Sequence, residues 1–105
     1  MKNSSSFEIS LWKNNSKYEF RIPNKKRDLY FDKSVNFINL ALPDISKSIK
    51  LKIRESFWNK CSHFGNTQVT NWLNEKHYTN YKKGNPTRFL LTKISNDSYQ
   101  LSLVS

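Results

Sequence analysis

The sequence predicts an α+β domain with N-terminal antiparallel strands, two short helices and a C-terminal β-hairpin. Three observations predict it. Apolar residues alternate at period two as far as Arg54. From Ser56 they recur at helical spacing around a central Gly65, and after Thr87 the alternation returns about an Asn96–Asp97 turn. At 105 residues the chain fits one domain, with residues 1–6 as a loose polar start.

Phe7, Ile9 and Leu11 alternate with Glu8, Ser10 and Trp12, and Tyr18, Phe20 and Ile22 alternate with Glu19 and Arg21. The turn formers of "KNNSK" join the two runs as a β-hairpin. Pro23 ends the second strand because it brings no ladder donor. "NKKRD" reads as a charged turn and "LYF" as a short strand. "SVNFINLALP" is apolar enough for a largely buried strand, closed by Pro43 and Asp44. In "SIKLKIR", Ile49, Leu51 and Ile53 point one way and Lys50, Lys52 and Arg54 the other. A helix would scatter those charges, so this is a strand with a basic outer ladder.

Phe57, Cys61 and Phe64 at i, i+4 and i+7 predict a helix, with Ser56 as its N-cap and Gly65 as its stop. Asn66 or Thr67 caps a second helix, whose Val69, Trp72 and Leu73 share a face with the stem of Lys76. The closing hairpin pairs Ser95 with Ser98 and Ile94 with Tyr99. That register puts Leu90, Thr92, Ile94, Tyr99, Leu101 and Leu103 on one face.

Eighteen Lys and Arg oppose eight Asp and Glu, a formal net charge of +10. So large an excess on a short chain attracts polyanions, nucleic acid first and an acidic protein partner or anionic membrane surface next. Aromatic residues make up 14%, which excludes a disordered chain and predicts a core built on rings. The lone Cys61 excludes an internal disulfide and reads as a small buried thiol. "MKNSSSFEIS" has no apolar signal region and no apolar run could span a bilayer. The expectation is a soluble cytoplasmic protein with no membrane partner.

Over residues 56–104 the order helix, Gly-containing turn, helix, hairpin resembles a winged helix-turn-helix DNA-binding domain. A small β-barrel or half-barrel with two inserted helices gives the same element order. The helix-turn-helix-like arrangement implies that the second helix enters the major groove. Gln68, Thr70 and Asn71 would then read base edges, with Asn74 flanking them. Lys50, Lys52 and Arg54, Lys82 and Lys83 after the second helix, and Arg88 are candidate phosphate contacts, with Lys93 near the hairpin tip as a wing. Trp12 falls on the polar side of its strand, and a ring there beside Lys or Arg can stack on unpaired bases; Tyr18, Tyr30, Tyr78 and Tyr81 are also interleaved with charge.

The sequence thus points to a non-enzymatic nucleic-acid-binding protein, with duplex DNA favoured over RNA. It offers no cofactor motif and no clustered metal ligands. Two other classes remain open. A small basic ribonuclease or toxin would use His63 or His77 as a general base. A protein–protein interaction module would dock an acidic partner, and its exposed strands also allow a homodimer by edge pairing.

Overall fold

A computed structural model describes residues 6–14, 16–43, 48–59, 62–82 and 84–104. The expectations for Asp44, Cys61, Lys83 and residues 1–5 lie outside the described residues.

The N-terminal alternation gives β1 (Ser6–Asn14) and β2 (Lys17–Arg21), an antiparallel pair with Leu11 opposite Phe20. After Pro23 comes α1 (Asn24–Tyr30), then β3 (Phe37–Ala41) and β4 (Ser48–Lys52). The second half holds α2 (Glu55–Asn59), β5 (His63–Phe64), α3 (Thr67–Glu75), β6 (Arg88–Ser95) and β7 (Ser98–Leu103). The seven strands among the described residues join one sheet in the order β4-β3-β7-β6-β1-β2-β5. Its neighbours are antiparallel except β3 and β7, which run parallel.

The sheet curls into a near-barrel. Its two edges, β4 and β5, approach each other closely enough that Arg54, just past β4, shares a cleft with Gly65, just past β5. Period-two alternation sends every second side chain to the concave side. Phe7, Ile9, Phe20, Leu40, Leu51, Phe89 and Leu101 are buried there. Rings bind the layers together. Tyr30 stacks on Phe7 with centroids 4.8 Å apart, Phe31 stacks on Tyr99 at 4.7 Å, and Phe57 meets Phe31 at 5.1 Å. Such pairs are worth about 0.5–1.5 kcal/mol each beyond the area they bury. The buried Tyr99 hydroxyl donates to the Tyr30 carbonyl at 2.7 Å, and burial pushes its pKa well up, so it stays a neutral donor.

Four expectations are corrected. The α+β class with its winged helix-turn-helix arrangement is overturned, because a seven-stranded mixed near-barrel sheet replaces it and β5 stands between α2 and α3. Phe57 and Phe64 are both core, but they sit on different elements. Phe64 pairs with Phe20 and His63 with Arg21, which satisfies the otherwise open edge of β2. The half-barrel alternative is the nearer description, with three helices rather than two. "NKKRDLY" is a helix, not a turn and a strand, whose first turn is closed by Lys26 and Arg27 N–H groups on the Pro23 carbonyl.

In the final hairpin Ser95 does oppose Ser98, but an irregularity between Lys93 and Ser95 brings Lys93, not Ile94, opposite Tyr99. Phe89 and Leu91 therefore face inward, while Ile94 is left exposed. Among the described residues no helix is long and apolar enough to cross a membrane.

Candidate functional site

The convex face of the sheet carries what the core rejects. Ile9 and Leu11 take the concave side of β1, so Ser10 and Trp12 face out. Phe20 and Ile22 do the same next door, which turns Glu19 and Arg21 outward. Phe64 is buried on β5, so His63 points away from the core. Register then brings these residues together. Trp12 lies opposite Glu19, Ser10 opposite Arg21, and Arg21 opposite His63.

The Trp12 ring reaches across β2 and stacks on His63, with centroids 4.3 Å apart and planes 21° apart. His63 Nδ1 sits 2.5 Å from Glu19 Oε1, and both atoms are buried. The two atoms are in close ion contact without hydrogen-bond geometry, and a carboxylate so placed favours the tautomer with its proton on Nδ1. Nε2 is the nitrogen left for other chemistry, and it has no hydrogen-bond partner among the described residues. Arg21 is exposed and has no carboxylate partner among the described residues.

These side chains border a groove. Trp12, Arg21, Pro23, Ser62 and His63 line a cleft of about 220 Å³. Glu8, Ser10, Arg21, Pro86 and Arg88 line a neighbouring one of about 380 Å³. The two share Arg21 and Pro23, so they are continuous across β6, β1, β2 and β5. Arg88 is held by Glu8 at 3.0 Å, an exposed pair that contributes little to stability. Three hydrogen bonds and one close backbone approach fix the frame. Ile22 N–H donates to the Ser62 carbonyl at 2.7 Å, and the buried Ser62 hydroxyl reaches the Ile22 carbonyl and, at 2.8 Å, the Asn24 side chain. Gly65 lies flat against β2, where an added Cβ would stand 3.0 Å from Glu19 Cγ and 3.1 Å from Glu19 Cα.

The sequence-predicted residues are dispersed. Gln68, Asn71 and Asn74 are exposed on α3, which Asn66 caps by accepting the Val69 N–H at 2.9 Å. Asn74 already accepts the Thr79 hydroxyl at 2.9 Å. Thr70 is turned inward, only 8% exposed, with its hydroxyl oxygen accepting the Tyr18 N–H at 3.1 Å, so it is closed to a base edge. Arg54 comes to the N-terminal end of α3, beside Asn66 and Thr67. Lys50 and Lys52 stay exposed on the convex side of β4, Lys50 with its ammonium 4.6 Å from the Phe37 ring centre. Lys93 is half-buried beside Tyr99 and close enough to Asp32 to help hold that carboxyl below its usual range, after the stronger hydrogen bonds from Ser34. Lys82 is exposed in the loop after α3. Among the described residues, Arg88 is the one predicted phosphate contact that enters the groove.

Tyr18, Tyr30, Tyr78 and Tyr81 pack partly buried against the core, which leaves Trp12 as the ring among these five that the convex groove uses. Trp58 lines a different cleft, but Arg27 and Lys33 already lie within 5.5 Å and 5.7 Å of its centre. Among the described residues no three His, Cys, Asp or Glu side chains converge as metal ligands. Glu19, Arg21 and His63 were missed as a set. The outward charges of "KYEFRIP" were a signal for the first two, while His63 was hidden inside the helical spacing assigned to "SFWNKCSHF". No family model, curated protein or solved structure matches this chain.

Proposed function

We propose that the protein binds single-stranded nucleic acid across the convex face of its sheet. The observation that carries this reading is the Trp12–His63 stack in an open groove beside Arg21, which has no carboxylate partner among the described residues. Aromatic rings on a sheet surface accept unpaired bases of any identity, and neighbouring guanidinium groups take the phosphates. Arg88 extends the positive lining, and the +10 net charge supplies long-range attraction. The duplex reading lost its docking frame with the helix-turn-helix. What supports it now is the row of exposed amides Gln68, Asn71 and Asn74 on α3.

Fluorescence anisotropy with labelled single-stranded DNA, single-stranded RNA and duplex DNA tests the proposal. Single strands should bind more tightly than duplex, and Trp12→Ala should weaken them by roughly 5- to 100-fold, the loss of one stacked base. Duplex binding that survives Trp12→Ala and falls with Gln68→Ala and Asn71→Ala would move the site to α3. Salt-sensitive capture of an acidic protein, with no affinity for nucleic acid, would overturn the proposal altogether.

A further inference from the structure

We propose that the groove also cleaves the RNA it binds, with His63 as general base, Glu19 as its positioning partner and Arg21 as the phosphate-stabilising cation. This rests on the single-strand reading above.

The geometry supplies three parts of a phosphoryl-transfer site. The Glu19 carboxylate, in close contact with Nδ1, favours the tautomer that carries its proton there, which leaves the Nε2 lone pair for a substrate. The Trp12 face holds the same ring in plane at 4.3 Å. Arg21 lies directly across from His63 on the neighbouring strand, with a forked, permanently charged donor set and no carboxylate partner among the described residues. A base bound along the Trp12 side of the groove would bring its own ribose and phosphate toward this corner. Nucleic-acid binding alone does not call for a carboxylate with its oxygen buried on the back of a histidine, since a negative charge there repels phosphate.

In the step we infer, Nε2 of His63 removes the proton from a ribose 2′-hydroxyl. The 2′-oxygen bonds to the adjacent phosphorus, and the bond from phosphorus to the 5′-oxygen breaks. Arg21 stabilises the extra negative charge on the equatorial oxygens. The departing 5′-oxygen takes a proton from water, and the hydroxide so formed recovers the proton from Nε2. The products are a 2′,3′-cyclic phosphate and a free 5′-hydroxyl, with no net change in protons or electrons. While Nε2 is protonated, the positive charge lies between the Glu19 carboxylate and the indole face, both of which attract it.

A 5′-labelled RNA and the same sequence in DNA separate the two proposals. Wild-type protein should bind both and cut only the RNA, leaving a cyclic phosphate end. His63→Ala should slow single-turnover cleavage by about 100-fold or more. Glu19→Gln retains an acceptor for Nδ1–H and so preserves the fold; it should slow cleavage at least about tenfold with little change in DNA affinity. His77, exposed on the turn after α3, is the control, and His77→Gly should cut at the wild-type rate. Binding of both strands without cleavage overturns this inference and leaves the binding proposal standing. Cleavage that His63→Ala and Glu19→Gln do not slow also overturns it, since it would come from elsewhere. Failure to bind either strand overturns both.

Discussion

Gly65 is fixed by closeness rather than by backbone sign. Among the described residues the glycine with positive φ is Gly84, at 82°, whereas Gly65 has no such torsion. Its reason is the approach of its Cα to β2, where a methyl group would meet the Glu19 backbone and side chain and the Tyr18 carbonyl, at 3.0 to 3.1 Å. Two of those three contacts are backbone and cannot swing aside. Gly65→Ala should therefore cost about 1–3 kcal/mol, the usual range for overpacking. A fall in the denaturant midpoint with unchanged slope would show it, and an unchanged midpoint would show that β2 yields without strain. The same push falls on Glu19, so the variant should lose cleavage more than it loses affinity for DNA. From "FGN" alone the glycine reads as a helix stop, because the close neighbour lies on a strand more than forty residues earlier.

At the scale of elements, the strands with clean alternation were legible. Ile49 and Leu51 buried against Lys50 and Lys52 exposed is the pattern that "SIKLK" announces. Val69, Trp72 and Leu73 at helical spacing did the same for α3. β5 was not legible, because a two-residue strand exists only through its pairing with β2. α1 was obscured by its charge; none of its seven residues is fully buried, Tyr30 packs partly buried on Phe7, and the adjoining Phe31 anchors it. The end of α3 yields a prediction of its own. Tyr78 N–H donates to the Leu73 carbonyl and His77 N–H to the Asn74 carbonyl, the paired bonds of a Schellman motif. His77 occupies the left-handed position at φ 62°, where glycine is favoured, and Tyr78 closes the motif by packing on Trp72 at 5.4 Å. His77→Gly should thus stabilise the protein by roughly 0.5–1 kcal/mol, read as a raised thermal midpoint. A lowered midpoint would mean that the imidazole makes a stabilising contact that outweighs the backbone term.

At the scale of the molecule, the positive charge is spread over a long surface. By way of the sheet β4 and β2 are five strand spacings apart, about 24 Å along its convex face, while across the seam Arg54, just past β4, shares a cleft with Tyr18 and Glu19 of β2. Neither lysine lines the groove or that cleft, so phosphates held by Arg21 and Arg88 do not meet Lys50 or Lys52 there. A short oligonucleotide seated on Trp12 does not reach them, while a longer strand wrapped around the curled sheet does. For single strands each released counterion contributes about −0.7 to the slope of log affinity against log salt, so four contacts give roughly −2.8. Lys50→Ala with Lys52→Ala should reduce the slope for long strands by about 1.4 and leave short ones unchanged. Cleavage of a short RNA should be untouched, because neither lysine lines the groove. Anisotropy titrations of both lengths across a salt series measure this directly. Equal losses for short and long strands would place the lysines in the primary site and redraw the path of the bound strand toward β4. A loss for neither would confine binding to the half of the sheet between β6 and β5.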